Sequence, residues 1–297
     1  MIPFIAASSP PVYIAALLTG LIVASEGWAA DTTPAEPAPA IAAPAPATAA
    51  PAEPAAAAPA SPFTGNLAFV SDYRFRGVSQ TWKRPAVQGG FDYAHASGAY
   101  LGTWASNVSG NTYNNANMEW DFYGGYNGKI NDDLSYNVGV LEYYYAGGKT
   151  PTSPSNKYDT FEVYAGVTYK WLNLKYSHTL TDYFGVNRSN TPANFNGGAD
   201  APNGNSKGSG YLETNLTYEV VPKLNLIGHV GHQAVHHYGN LSYTDYKLGA
   251  TYEYNTFVFG LAYVGTDAKS AYYKFAANNE TKELAKDTLV LSVSKTF

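Results

Sequence analysis

Four of the six histidines crowd into one stretch, His229-Val-Gly-His232-Gln-Ala-Val-His236-His237, and so raise the question of a metal site. On a strand, His229 and Gln233 point to one face while His232 and His236 point to the other, so regular β-structure cannot bring the group together. His236 and His237 fall in a predicted surface loop and read as polar rim residues. A lipid-facing serine–histidine pair is a second chemistry open to strands in a membrane, and His178 lies on a predicted lipid-facing row. No serine, histidine and asparagine grouping has a spacing that singles it out. The sequence therefore points to no enzyme, no cofactor and no metal.

The charged residues with alternate spacing are more informative. Counting by twos along predicted strands places Asp72, Asp92, Glu119, Asp121, Glu162, Glu213, Glu219, Asp245 and Glu253 on the face opposite the apolar residues, together with Arg74, Arg76, Lys175 and Lys247. As the lining of a narrow pore, this set has an acidic excess that favours cations or neutral solutes. Arg74 and Arg76 would then oppose carboxylates across a constriction. The alternative is a salt-bridged plug, because unpaired charges in a low-dielectric interior are costly.

Those side chains need a scaffold, and the composition indicates its kind. The 297 residues include 26 Tyr, 28 Gly and no Cys, and only 14% are charged, which suits β-strands at a membrane interface better than a helical bundle. A net charge of −5, with Lys and Arg scattered singly, leaves no basic face for nucleic acid. Beyond the first thirty residues no run of eighteen apolar residues occurs, so a membrane-spanning form must be a closed barrel.

From Phe63 onward the chain divides into twelve segments of about ten residues, the length of a tilted spanning strand. They are predicted near 65–76, 85–95, 99–108, 117–128, 134–145, 158–169, 172–184, 210–220, 223–233, 242–254, 256–266 and 287–297. Connections after even-numbered segments are tight, such as Ala96-Ser97-Gly98 and Val221-Pro222. Those after odd-numbered segments are long and rich in Asn, Gly, Ser, Thr and Pro, the longest running from Gly185 to Ser209. Short periplasmic turns opposite long extracellular loops are the mark of outer-membrane barrels. The expected architecture is an all-β, antiparallel transmembrane barrel over residues 63–297.

Before the barrel, Val12 to Val23 form an apolar run, and Gly27-Trp28-Ala29 offers small residues at the positions a signal peptidase reads. No Lys or Arg precedes the run, a departure from the usual pattern. Residues 1–29 read as an export signal. Residues 30–62, almost all Ala, Pro and Thr, read as an extended periplasmic spacer.

The chain stops at Phe297 on a predicted strand whose Leu289, Leu291 and Val293 share its face, the pattern by which barrel assembly machinery is thought to recognise its clients; Lys295 interrupts it. The stretch Val70-Ser-Asp-Tyr-Arg-Phe-Arg-Gly-Val-Ser-Gln-Thr81-Trp82, with Pro85 to Tyr93 and Gly98 to Val108, resembles the opening of the TorF family of porin-type barrels. The ending Leu289-Val-Leu-Ser-Val-Ser-Lys-Thr-Phe297 resembles it too, Lys295 included. That resemblance implies an outer-membrane barrel of porin type and supplies no substrate or catalytic residue. Together these features predict a passive pore for small hydrophilic solutes, embedded in outer-membrane lipid. The rival is a non-conducting barrel whose loops serve adhesion or recognition.

Overall fold

A computed structural model describes residues 61–150, 156–189 and 204–297. The strands are β1 (Phe63–Val70), β2 (Arg74–Phe75), β3 (Val78–Ser79), β4 (Ala86–Ala94), β5 (Ala99–Asn107), β6 (Met118–Lys129), β7 (Leu134–Tyr145) and β8 (Thr160–Tyr169). The second half adds β9 (Leu172–Thr179), β10 (Gly210–Val221), β11 (Leu224–Ala234), β12 (Tyr243–Tyr254), β13 (Phe257–Thr266), β14 (Lys274–Ala277), β15 (Glu280–Glu283) and β16 (Thr288–Thr296). Twelve of them close an antiparallel barrel, in the order β1-β16-β13-β12-β11-β10-β9-β8-β7-β6-β5-β4. The remaining four form two small hairpins, β2 with β3 in the first long connection and β14 with β15 in the last. Tight turns and long connections alternate as the sequence predicts. The predicted export signal, residues 1–29, and nearly all of the predicted spacer, residues 30–62, lie outside the described residues.

Two-residue periodicity decides which face meets which medium. Leu67, Phe91, Leu101, Leu248, Leu289 and Leu291 point outward and are each at least half exposed. Lys175, Glu213, Glu119, Asp121 and Glu162 point inward and are buried. A protein in water has no reason to expose its leucines and bury its carboxylates; an apolar exterior wrapped round a polar interior is that of a transmembrane barrel.

Tyrosine and glycine fill the interior together. Inward Gly102 of β5 lies under the ring of Tyr123, Gly139 under Tyr164 and Gly231 under Tyr211, so close that a Cβ on any of these glycines would collide with the ring. A large ring lying flat over a neighbouring glycine lets strands tilt and close while the lumen fills. Hydroxyl groups then tie the rings together: Tyr100 and Tyr164 share a 2.6 Å hydrogen bond, and Asn137 donates to Tyr100 Oη at 2.8 Å.

Candidate functional site

The first strand is shorter than predicted. It ends at Val70, and residues 71–85 leave the wall and fold into the half of the lumen at the long-connection end. Asp72 starts the departure: its carboxylate accepts from Ser79 Oγ at 2.6 Å, Thr81 Oγ1 at 3.2 Å and Arg74 Nε at 2.7 Å. Such local side-chain bonds compete with a strand ladder and here replace it. Arg76 (φ 45°) and Gly77 (φ 80°) make the two-residue turn between β2 and β3, both in the left-handed region that a tight hairpin of this kind requires. A Cβ on Gly77 would collide with Thr266 and crowd Asp245, so the turn tip rests against the wall at β12 and β13.

This detour changes the roles of three predicted lining residues. Asp72 and Arg74 do not stand on a strand of the barrel wall; they brace the inserted segment from within. Arg74 Nη1 donates to the carbonyls of Gly77, Leu284 and Lys286 at 2.9 to 3.0 Å, clamping the first connection to the last. Arg76 does reach the lumen, but from the hairpin tip. Its Nη1 and Nη2 donate to Glu162 Oε1 and Oε2 of β8 at 3.1 and 2.8 Å, and Nη1 also donates to Gln233 Oε1 of β11 at 2.8 Å. The guanidinium lies 4.2 Å from the centre of the Tyr211 ring. Tyr73 and Phe75, which continue the alternation of outward Leu67 and Phe69 and would face lipid on the predicted strand 65–76, are buried inside for the same reason.

The other predicted residues stand where alternation places them. Glu119 accepts from Tyr73 Oη and Tyr145 Oη, both at 2.8 Å, so the inserted segment and β7 satisfy it together. Asp92 accepts from Tyr123 Oη at 2.6 Å. Lys175 lies 3.2 Å from Glu213, and His229 bridges Glu213 at 3.6 Å and Asp245 at 2.8 Å. Tyr211 Oη donates to Asp245 at 2.8 Å, and Asn215 donates to Glu213 at 2.9 Å. Lys247 pairs across the ladder with His229 and has no carboxylate partner among the described residues. Asp121 is fully buried with both oxygens unpartnered, and Trp104, opposite it on the β5–β6 ladder, has an unpartnered Nε1. Glu219 and Glu253 are exposed at the tight-turn end.

The Lys175–Glu213 pair permits a stability test. Lys175→Ala strands a carboxylate that is only 6% exposed and should cost about 3–5 kcal/mol, whereas Lys175→Met with Glu213→Leu should be nearly neutral. Denaturant unfolding from detergent micelles measures both, and equal losses would contradict the pairing.

Neighbouring connections hold the inserted segment down. Tyr113 Oη donates to Gln80, Ser109 N donates to Gln80 O at 3.0 Å and Ser79 N donates to Leu284 O at 3.0 Å. Trp82, with no exposed surface, lies beneath Lys282, whose ammonium is 5.9 Å from the ring centre and 3.3 Å from Glu280. Hydrogen bonds from Lys282 and then Trp82 hold the Glu280 carboxyl below its usual range. Phe184 packs edge-on against Phe75 with centroids 5.4 Å apart. The longest connection, Gly185 to Ser209, is described only at its ends, where Ser206 and Ser209 are buried.

The histidine stretch separates as expected, with His229 and Gln233 buried and His232 exposed, and no metal-holding group occurs among the described residues. His236 and His237 stack at 3.8 Å and donate through Nδ1 to the carbonyls of Lys207 and Asn205. The absence of a Gly-x-Ser-x-Gly motif expected from the sequence does not hold, since Gly204-Asn-Ser206-Lys-Gly208 spells one. Ser206 Oγ donates to Val186 O at 2.5 Å and accepts from Tyr183 N at 2.8 Å, so backbone occupies it and no histidine touches it. Tyr73, Tyr145, Tyr211, Gln233 and Asn215 join the site without having been predicted; the inward parity of the last four was available in the sequence.

Among solved structures the barrel is similar to the KdgM porin, with a TM-score of 0.46 and 8% identity over 79% of this chain and 99% of that one. It is also similar to the NanC porin, at 0.43 and 9% over 79% and 98%, and to OccAB3 of Acinetobacter baumannii, at 0.36 and 11% over 77% and 59%. No curated protein matches the chain in sequence. A family model does, over residues 55–297, and that span takes in the whole barrel: the chain belongs to the Gcw_chp family, described as bacterial protein of unknown function.

Proposed function

We propose that the chain is an outer-membrane channel for passive diffusion of small hydrophilic solutes, with the inserted segment 71–85 as its constriction. The observation carrying this reading is the Arg76–Glu162 contact, made by a connection that crosses the lumen from β1 to β8 and places opposite charges face to face. A bacterial barrel with a lipid-facing exterior belongs in the outer membrane, where such barrels reside. The resemblance to the TorF family points the same way. Toward the tight-turn end the inward residues Asn127, Thr217, Glu219 and Glu253 are exposed, as the wall of a vestibule would be.

The acidic excess predicted from sequence persists after pairing. Among the described residues, Arg74, Arg76 and Lys175 are paired with Asp72, Glu162 and Glu213, which leaves Asp92, Glu119, Asp121 and Asp245 against one unpaired cation, Lys247. The channel should therefore favour cations and neutral solutes. In this reading residues 1–29 direct export, 30–62 form a periplasmic spacer and the strand ending at Phe297 engages the assembly machinery.

A second reading is favoured by the burial of Glu119, Asp121 and Glu162, each no more than 1% exposed: a barrel closed at its extracellular half, with the connections as its working surface. Planar-bilayer recording in a salt gradient decides between them. Discrete steps with a cation-selective reversal potential support the channel. A folded barrel that stays silent, alone and after the inserted segment is deleted, overturns it.

A further inference from the structure

Lys295 interrupts the apolar pattern of the last strand, and the lumen does not use it. It pairs in register with outward Leu67, so it stands on the lipid face, near the tight-turn end. Among the described strands of the wall it is the lone outward cation. Its ammonium lies 5.1 Å from the centre of the Phe257 ring and 5.2 Å from that of Phe297, and no carboxylate pairs with it among the described residues. A strongly hydrated ammonium on a hydrocarbon-facing wall is costly unless an anion meets it.

Beside it the wall is recessed. Gly65 and Gly89 face outward between Leu67 and Phe91, and with Phe63, Gly90 and Phe297 they line an apolar groove of about 520 Å³. Phe297 both lines the groove and carries the Lys295 ammonium on its ring. A cation and an apolar channel therefore share one wall at the level of the periplasmic leaflet.

We propose that this juxtaposition is a binding site for an anionic phospholipid of the periplasmic leaflet, its phosphate on Lys295 and one acyl chain in the Gly65–Gly89 recess. Charge complementarity and the continuity of groove with lipid-facing wall select a lipid over a second copy of the chain. The site is independent of whether the lumen conducts.

Native mass spectrometry of the full chain in mild detergent tests it, with equal amounts of palmitoyl-oleoyl phosphatidylglycerol and phosphatidylcholine offered as probes. The wild type should retain phosphatidylglycerol preferentially. Lys295→Gln should lose that preference about fivefold, the worth of one cation at a membrane surface. Gly89→Leu, which fills the recess, should lower retention of both lipids. Heat-shifted electrophoretic mobility shows that each variant is folded; should Gly89→Leu fail that check, Phe91→Ala opens the groove instead and should also lower retention. An unchanged lipid ratio in Lys295→Gln, unselective retention by the wild type, or a lipid-free dimer would each overturn the site.

Discussion

Replacing Arg76 by alanine should enlarge the single-channel conductance of the barrel. The side chain makes three charge-assisted hydrogen bonds, two to Glu162 and one to Gln233, and its guanidinium packs on Tyr211 and Phe75. Its loss leaves Glu162, 1% exposed, as an unpaired carboxylate under the inserted segment. Breaking one partner of such a pair costs about 3–5 kcal/mol, which shifts docking of segment 71–85 by roughly 10²- to 4 × 10³-fold toward release. The penalty falls on the docked segment and not on the wall, because β1 and β4 pair directly from Phe63 to Val70 without it. The barrel should therefore remain folded while its steps grow. Glu162→Gln should act through the same contact, so the double variant should add little to either single change. Arg76→Lys keeps the charge without the two-pronged geometry and should fall between. Wild-type step sizes in Arg76→Ala would show that the contact does not set the constriction.

How far this site was legible follows from the range over which alternation holds. Lys175, Glu213 and Asp245 sit on long unbroken strands, and counting by twos from Leu174, Leu212 or Leu248 is enough to face them inward. The same count fails at Asp72, Arg74 and Arg76, where it is carried six residues past the real end of β1. Nothing in hydrophobic periodicity marks that end, since Tyr73 and Phe75 continue the pattern while packing against Trp104, Tyr143 and Phe184 inside. The available signal was chemical: Asp72 with Ser79 and Thr81 at bracing distance, and Arg76-Gly77 spelling a tight turn. Which connection folds inward is set by contacts between residues some two hundred positions apart, such as Arg74 with Leu284, and local patterning is blind to those.

The tyrosine–glycine packing yields a sharper test of how the barrel closes. Gly125→Ala should abolish the folded, heat-shifted form, because the new Cβ would collide with the Val138 carbonyl on β7 and lie 2.8 Å from Tyr100 Cζ. The tyrosine could turn away only by losing its bonds to Tyr164 and Asn137, and a ladder carbonyl cannot turn away at all. Overpacking against side chains alone costs about 1–3 kcal/mol, so a clash with backbone should exceed that. Gly231→Ala offers the contrast: the three atoms nearest its added carbon all belong to the Tyr211 ring and hydroxyl, so Tyr211→Ala in the same chain should restore folding, at the expense of the Asp245–His229 network that Tyr211 supports. Tyr100→Ala should not rescue Gly125→Ala, since the carbonyl contact persists. Gly239→Ala, with nothing within 4 Å of the added carbon, should be silent. Rescue of Gly125→Ala by Tyr100→Ala would mean that the ring alone sets the strand spacing; failure to rescue means that β6 and β7 approach as closely as their backbones permit, and that glycine is required there by the closure of the barrel itself.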